Sequence, residues 1–358
     1  MGKDNANKVG EITNEEEALT AVRQDGLELL TVPKVLKTAE LCLEAVKQDG
    51  QALEYVPEKL KTKELCFEAV KNQGLALQYV PENLKTAEMC LKAVKQNGYV
   101  LEYVPDELMT QRMCLEAVKS NAWALQNVPE NLKTAELCLE AVRQNGGAFK
   151  YVPDELKTAE LCLEAVKQDG QALEYVPWGQ LKLTVPAMEE LCLKAVKQYG
   201  YVLQYVPEKL KTTQICLEAV KQAGWALQYV PKTVKTAELC LEAVKQNGQA
   251  LQYVPVKLKT KELCLEALKE DVKQDGFSLM NNSQTLEYVP KKLKTAELCL
   301  KAVRQDGFAL RYVPKELMTA EMYIEAMMNL FEEFFGKSLE NVPEGLREEV
   351  RRRFKNRE

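Results

Sequence analysis

The string LKTAELCLEAVKQDGQALEYVP runs from Leu36 to Pro57 and recurs without one substitution from Leu156 to Pro177. Diverged copies of it fill most of the chain. Valine–proline pairs supply a ruler: Pro33, Pro57, Pro81, Pro105, Pro129, Pro153 and Pro177 succeed one another at intervals of 24 residues, and the interval returns from Pro207 to Pro255 and from Pro290 to Pro314. A unit this short cannot bury an apolar face alone and must stack on copies of itself. The 358 residues, which would otherwise suggest two or three domains, are therefore read as one tandem array.

Within a repeat, Thr38 is a suitable N-cap, Glu40 stands in the first turn where the helix dipole favours an acid, and Gly50 is expected to supply a left-handed C-terminal residue. One helix is predicted over Ala39 to Asp49. At 100° per residue it carries Ala39, Leu41, Cys42, Leu43, Ala45 and Val46 over an arc of about 200°, opposite Glu40, Glu44, Lys47 and Gln48. So wide an arc needs neighbours on several sides, as a helix held between the preceding and following repeats has. After Gly50 the run QALEYV predicts one helical turn that stops at Val56, because a residue before proline disfavours helical angles. Leu53 and Val56 anchor that turn, and PEKLK then makes a tight turn in which Leu60 is expected to reach the core.

The cysteines number 11 and fall once per repeat, from Cys42 to Cys299, near the centre of the apolar arc. Stacked helices lie about 8 to 10 Å apart. A disulfide needs Cα atoms within about 7 Å, and zinc needs ligands converging at about 2.3 Å. Core thiols follow, with no metal site. The net charge of -5 is spread over interspersed signs, so no basic field exists to attract nucleic acid or an anionic membrane. No run approaches the roughly 20 apolar residues of a membrane span and no apolar signal core opens the chain, so a cytoplasmic location is expected. Histidine is absent, which removes the side chain most used for acid–base work near neutral pH and every Ser–His or Cys–His nucleophile. Glycines come singly apart from Gly146 and Gly147, so no phosphate-cradling loop is present. A protein without catalytic activity or cofactor is the expectation.

The predicted fold is an all-α, right-handed α-solenoid of about thirteen 24-residue repeats, each one helix plus a short helical turn. Residues 1–13 are expected to form a flexible lead-in, 14–345 the array, and 346–358 a basic capping helix with Phe354 inward. Two insertions interrupt the period. Near 178–188, Thr184 can cap a helix whose first turn holds Pro186, lengthening it; near 268–285, LKED adds about one turn and the remainder loops out. Towards the end Phe331, Phe334 and Phe335 swell the last helix of the array, to be covered by the C-terminal segment or to serve as a homodimer contact. The consensus resembles a bacterial tandem-repeat family of unknown function whose units read ELCLEAVKxxGxALxYVPxxLKT, over roughly Asn14 to Gly345. It is more weakly similar to the leucine-rich repeat variant α-solenoid. The first resemblance implies the repeat and carries no activity with it.

Function is sought where the copies differ. The residue after the helix-ending glycine varies on a constant frame, and its aromatic members Tyr99, Trp123, Tyr201, Trp225 and Phe308, with Trp178 of the first insertion, are the candidate partner-binding residues. A ladder of near-invariant tyrosines beginning at Tyr55 reads as inter-repeat contact with wet hydroxyls. A lysine ladder beginning at Lys37 precedes the N-caps and is expected to pair with acids of adjacent helices. The expected function is a non-catalytic scaffold that presents an extended surface to a partner protein or peptide. The alternative is a reader of single-stranded nucleic acid, with the aromatics stacking on bases and the lysine ladder on phosphates.

Overall fold

The computed structural model describes residues 12–270, 285–329 and 342–355. It divides into two compact units, Met1–Pro177 and Trp178–Glu358. Every regular element among the described residues is helical. Unit 1 holds α1 (Glu15–Gln24), α2 (Ala39–Gln48), α3 (Lys63–Asn72), α4 (Ala87–Gln96), α5 (Gln111–Ser120), α6 (Ala135–Gln144) and α7 (Ala159–Gln168). Unit 2 holds α8 (Val185–Gln198), α9 (Thr213–Gln222), α10 (Ala237–Gln246), α11 (Lys261–Glu270), α12 (Ala296–Gln305), α13 (Ala320–Asn329) and α14 (Glu344–Lys355). Within a unit each α-helix lies against the next, and the segments that follow them stack into a parallel second layer. The chain is an all-α repeat solenoid.

The repeat is built by local chemistry. The Thr38 hydroxyl accepts from the Leu41 amide at 3.2 Å, closing the start of α2, and Leu41, Cys42, Ala45 and Val46 are buried. The helix stops because Asp49 is extended, at φ -139° and ψ 118°, and its carboxylate accepts from the Gln51 amide at 2.8 Å to start the next element. That element is a 3-10 helix over Gly50–Tyr55, longer than the single turn predicted from the sequence. Such runs rarely exceed 3–4 residues because side chains three apart eclipse one another. Here the eclipsing is used. Gly50, Leu53 and Val56 share one buried face and Ala52 is buried on a second, while Gln51 and Glu54 share the third, outward face. Glu58–Leu60 then forms a shorter 3-10 turn before the next N-cap. The leucine three residues after proline is half-buried in most repeats and fully buried at Leu210, 1% exposed, so it borders the core more often than it enters it.

Gly50 is not the left-handed residue expected. The helix-ending glycines are constrained by space. A Cβ at Gly146 would lie 2.7 Å from the Ala165 carbonyl oxygen and 2.8 Å from the Asp169 amide of the next repeat. The glycine amide is spoken for across the same seam: Gly50 donates to Asn72 Oδ1 at 3.1 Å, Gly74 to Gln96 Oε1 at 2.7 Å and Gly98 to Ser120 Oγ at 3.1 Å. Asn72 Nδ2 in turn donates to the Lys47 carbonyl at 2.6 Å. One side chain at the end of an α-helix thus serves an open carbonyl and an open amide of the preceding repeat, groups that helix ends leave without partners.

The first insertion lengthens a helix as predicted: α8 has 14 residues against 10 in α7, with Pro186 in its first turn, although Thr184 stands at the N-cap position without a side-chain cap hydrogen bond. Of the expected lead-in, residues 1–11 lie outside the described residues; Ile12 and Thr13 are described, and the Thr13 amide and hydroxyl both donate to Glu17 Oε2. The C-terminal α14 starts at Glu344 and lies on α13, where Val350 and Val342 close over Ala320, Tyr323 and Ile324. Most of the second insertion and Phe331, Phe334 and Phe335, with the homodimer contact read from them, lie outside the described residues, as does the Phe354 side chain.

Gly146→Ala is expected to lower the stability of the chain by about 1 to 3 kcal/mol, the usual cost of forcing a methyl group into a filled seam. The shift of the urea midpoint at unchanged helicity measures it.

Candidate functional site

The outward face of each 3-10 helix carries two positions that vary between repeats, the residue after the glycine and the residue three further on. Tyr99 (49% exposed), Tyr201 (38%) and Trp225 (38%) are among the exposed large hydrophobic residues of the chain. Trp123 and Phe308 occupy the same position and are half-buried. The sequence placed these five residues at equivalent points, and within each unit the fold does so too. Trp178 is different: half-buried in the turn that opens unit 2, it belongs to no 3-10 helix.

The variable aromatics do not stand alone. Trp123 meets Tyr151 of the following repeat edge-to-face at 6.1 Å between ring centroids, and Trp225 meets Tyr253 at 6.1 Å. Tyr199 and Tyr201 lie 5.8 Å apart. Gly147 is small for a reason visible here, since a Cβ on it would approach Cη2 of Trp123 to 3.0 Å. The tyrosine ladder therefore forms a wall of the surface as well as an inter-repeat contact. A hydrogen bond to Glu102, followed by burial, holds the Tyr103 hydroxyl above its ordinary pKa.

Sequence reasoning overlooked the second outward position, occupied by Leu30, Glu54, Gln78, Glu102, Gln126, Lys150 and Glu174 in unit 1 and by Gln204, Gln228, Gln252, Glu287 and Arg311 in unit 2. Its signal was available, because it too varies on a constant frame. Lys150 places its ammonium 4.9 Å from the Trp123 centroid and 4.7 Å from that of Tyr151. Arg311 lies 5.6 Å from Phe308 and 5.7 Å from Tyr312.

The lysine ladder is placed differently from expectation. Lys85 Nζ donates to the Tyr103 carbonyl of the next repeat at 2.7 Å and to Glu82 of its own turn at 2.6 Å, with its side chain 4% exposed. Lys61, Lys133 and Lys211 repeat the pattern on the carbonyls of Tyr79, Tyr151 and Tyr229. The acid is three residues back in the same turn and not on an adjacent helix. The carbonyl is the open C-terminal end of a 3-10 helix, where a cation is favourable. In four repeats the place of that acid holds no carboxylate, being Lys34, Lys232, Val256 or Lys291, and there burial pulls the pKa of Lys37, Lys235, Lys259 and Lys294 down.

Each described cysteine is fully buried and its thiol is pushed up in pKa by burial, to about 11 at Cys66, Cys90, Cys114, Cys138, Cys216, Cys240 and Cys264 and to about 12 at Cys162 and Cys192. These are packing residues. Among the described residues no group of three or more Cys, Asp or Glu side chains is arranged to hold a metal ion, and no helix is long and apolar enough to cross a membrane.

Fold and surface together define a helical tandem-repeat protein whose variable residues are displayed on one layer of the stack. The chain belongs to the family described as domain of unknown function DUF4116, whose profile matches residues 14–61, 62–109, 112–157, 134–182, 189–235, 237–294 and 272–318. The family unit therefore takes in two consecutive repeats of the kind described above. No curated protein matches the chain. Among solved structures, a chain described under "Computational Design of Self-Assembling Cyclic Protein Homooligomers" is 12% identical over 96% of each chain with a TM-score of 0.08, which carries no argument.

Two outcomes follow. Lys85→Ala leaves the Tyr103 carbonyl without its donor and should cost about 1 to 3 kcal/mol in urea unfolding. Alkali should destabilise the protein. Thiols of the unfolded chain titrate near the ordinary 9.0 whereas the buried ones hold their protons to about 11, so between these values the unfolded state binds fewer protons and stability falls as pH rises. The four lysines with lowered pKa act in the opposite sense up to 10.5, but the thiols outnumber them. Thermal midpoints measured from pH 8 to about 11 should decline, and Cys90→Ala with Cys114→Ala should make the decline shallower.

Proposed function

We propose that the chain is a non-catalytic, cytoplasmic scaffold that holds an extended partner protein or peptide along the outward face of its 3-10 helices. The observation that carries this reading is the display itself. Large aromatic side chains occupy a position that stacking does not require to be aromatic, since Gln51, Gly147, Gln171 and Gln249 fill it elsewhere. They are half-buried or exposed on a rigid frame, where Trp and Tyr contribute most to interface energies. Recurrence once per repeat suits a partner that runs along the stack. The free, buried cysteines fit a reducing compartment.

The nucleic-acid alternative asked the lysine ladder to meet phosphates. In the repeats of Lys61, Lys85, Lys133 and Lys211 that side chain is 4–7% exposed and its ammonium already serves a tyrosine carbonyl and an acid.

Panning a peptide-display library on the full chain should enrich peptides whose affinity, measured by fluorescence anisotropy, falls by at least about tenfold in the Tyr201→Ala, Trp225→Ala variant, as loss of interface aromatics does. Failure to enrich, or equal affinity for the variant, would remove the reading.

A further inference from the structure

Two aromatic notches on the outward layer share a pair of rings and differ in the residues beside them: Gly147 and Lys150 in unit 1 stand where Gln249 and Gln252 stand in unit 2. In unit 1, Trp123 and Tyr151 stand at 6.1 Å and 79°. In unit 2, Trp225 and Tyr253 stand at 6.1 Å and 67°. Both pairs join a variable residue to the tyrosine of the following repeat. In unit 1 the residue before that tyrosine is Lys150, and its ammonium lies within 5 Å of both ring centroids, at 4.9 and 4.7 Å. In unit 2 the same position is Gln252, whose amide turns back along its own helix so that Nε2 donates to the Gln249 carbonyl at 3.2 Å. Among the described residues the cations set over aromatic rings are Lys150, Lys157 and Arg311, none of them over Trp225 or Tyr253.

We infer that the Trp225–Tyr253 notch is a binding site for the ammonium group of a lysine side chain carried by the partner segment. Two ring faces meeting near a right angle direct their negative quadrupoles at one point, which attracts a cation and does little for a neutral chain of the same shape. The sister notch shows which cation this geometry accepts, because Lys150 already sits there. Local charge agrees. The neighbouring outward positions Gln204, Gln228 and Gln252 are neutral and the next, Glu287, is acidic, so no base at these outward positions opposes an incoming ammonium, while the ammonium of Lys235 is engaged with the Tyr253 carbonyl at 3.0 Å. Access agrees as well, since Trp225 is 38% exposed. Arg311, 5.6 Å from the Phe308 ring and 5.7 Å from that of Tyr312, shows a second cation of the chain set over aromatic rings of the same layer.

The inference rests on the scaffold reading of this face and names the chemistry that one of its sites selects. Of the 3 tryptophans in the chain, Trp123 and Trp178 are replaced by phenylalanine so that Trp225 is the sole indole of the full-length protein. The probe is N-acetyl-lysine methylamide, compared with its neutral counterpart N-acetyl-norleucine methylamide at constant ionic strength, with Trp225 emission as the signal. The lysine compound should produce a saturable change with an affinity about two- to fivefold above that of the norleucine compound. Gln252→Lys should abolish that preference while leaving circular dichroism unchanged, because its own ammonium takes the place that Lys150 takes. In the reciprocal chain that keeps only Trp123, Lys150→Gln should create the preference. Equal responses to the two compounds, no saturable response, or a Gln252→Lys variant that binds like its parent would overturn the inference. Panned peptides that bind through Trp225 but carry no lysine would also overturn it and would leave the scaffold standing.

Discussion

Within each unit the longer 3-10 helices begin pressed against the last turn of the α-helix in the next repeat, and that contact governs the rest of the structure. Backbone approaches backbone so closely that a Cβ at Gly74 would lie 2.8 Å from the Ala93 carbonyl. The approach brings the Gly74 amide to Gln96 and the Gln96 amide to the carbonyls of Val70 and Lys71. The same contact fixes the phase of the short helix. Once its first residue is pinned, every third residue shares a face, so the positions of Leu77 and Val80 are committed to the core and those of Leu75 and Gln78 to the outside.

On the turn side the seam is held by charge. A buried lysine beside a carbonyl is costly if it stands alone. The chain meets that cost in two ways: Glu58, Glu82, Glu130, Asp154 and Glu208 neutralise the ammonium locally, and the C-terminal carbonyl of the next 3-10 helix gives it a dipole of the right sign. Repeats that lack the acid keep the lysine and the carbonyl, as Lys235 with Tyr253 and Lys259 with Tyr288 do. The inter-repeat bond thus occurs with and without the ion pair, and at Lys157 the ion pair to Asp154 takes its place. A hydrophobic residue could fill the volume but would leave the carbonyl unsatisfied.

Much of this was legible in the string Leu36–Pro57. Its period named a stack, its threonine marked a helix start, its apolar arc gave a core in which Leu41, Cys42, Ala45 and Val46 are indeed buried, and its cysteine was read as a core thiol. Three readings failed, each because a local rule met a tertiary constraint. Gly50 suggested a left-handed cap, yet its small size serves an approach between repeats. Lys61 suggested a partner on an adjacent helix, yet its partners are an acid in its own turn and a backbone oxygen 18 residues away. QALEYV suggested one turn, because it is short and its last residue precedes a proline, yet stacking supports a 3-10 helix over Gly50–Tyr55.

The site divides in the same way. The sequence by itself determined where variation sits, since alignment of the copies isolates Tyr99, Trp123, Tyr201, Trp225 and Phe308 on an otherwise constant frame. It also determined that the chain stacks, because no unit of 24 residues with so wide an apolar arc can be stable alone. Only the tertiary structure decided what those variable residues face. Trp225 and Tyr253 lie 28 positions apart in the chain and 6.1 Å apart in space, and the residue that completes or opens their notch precedes the second of them. Such pairings run between repeats, so they are fixed by the stacking of one copy on the next, which no single copy of the motif encodes.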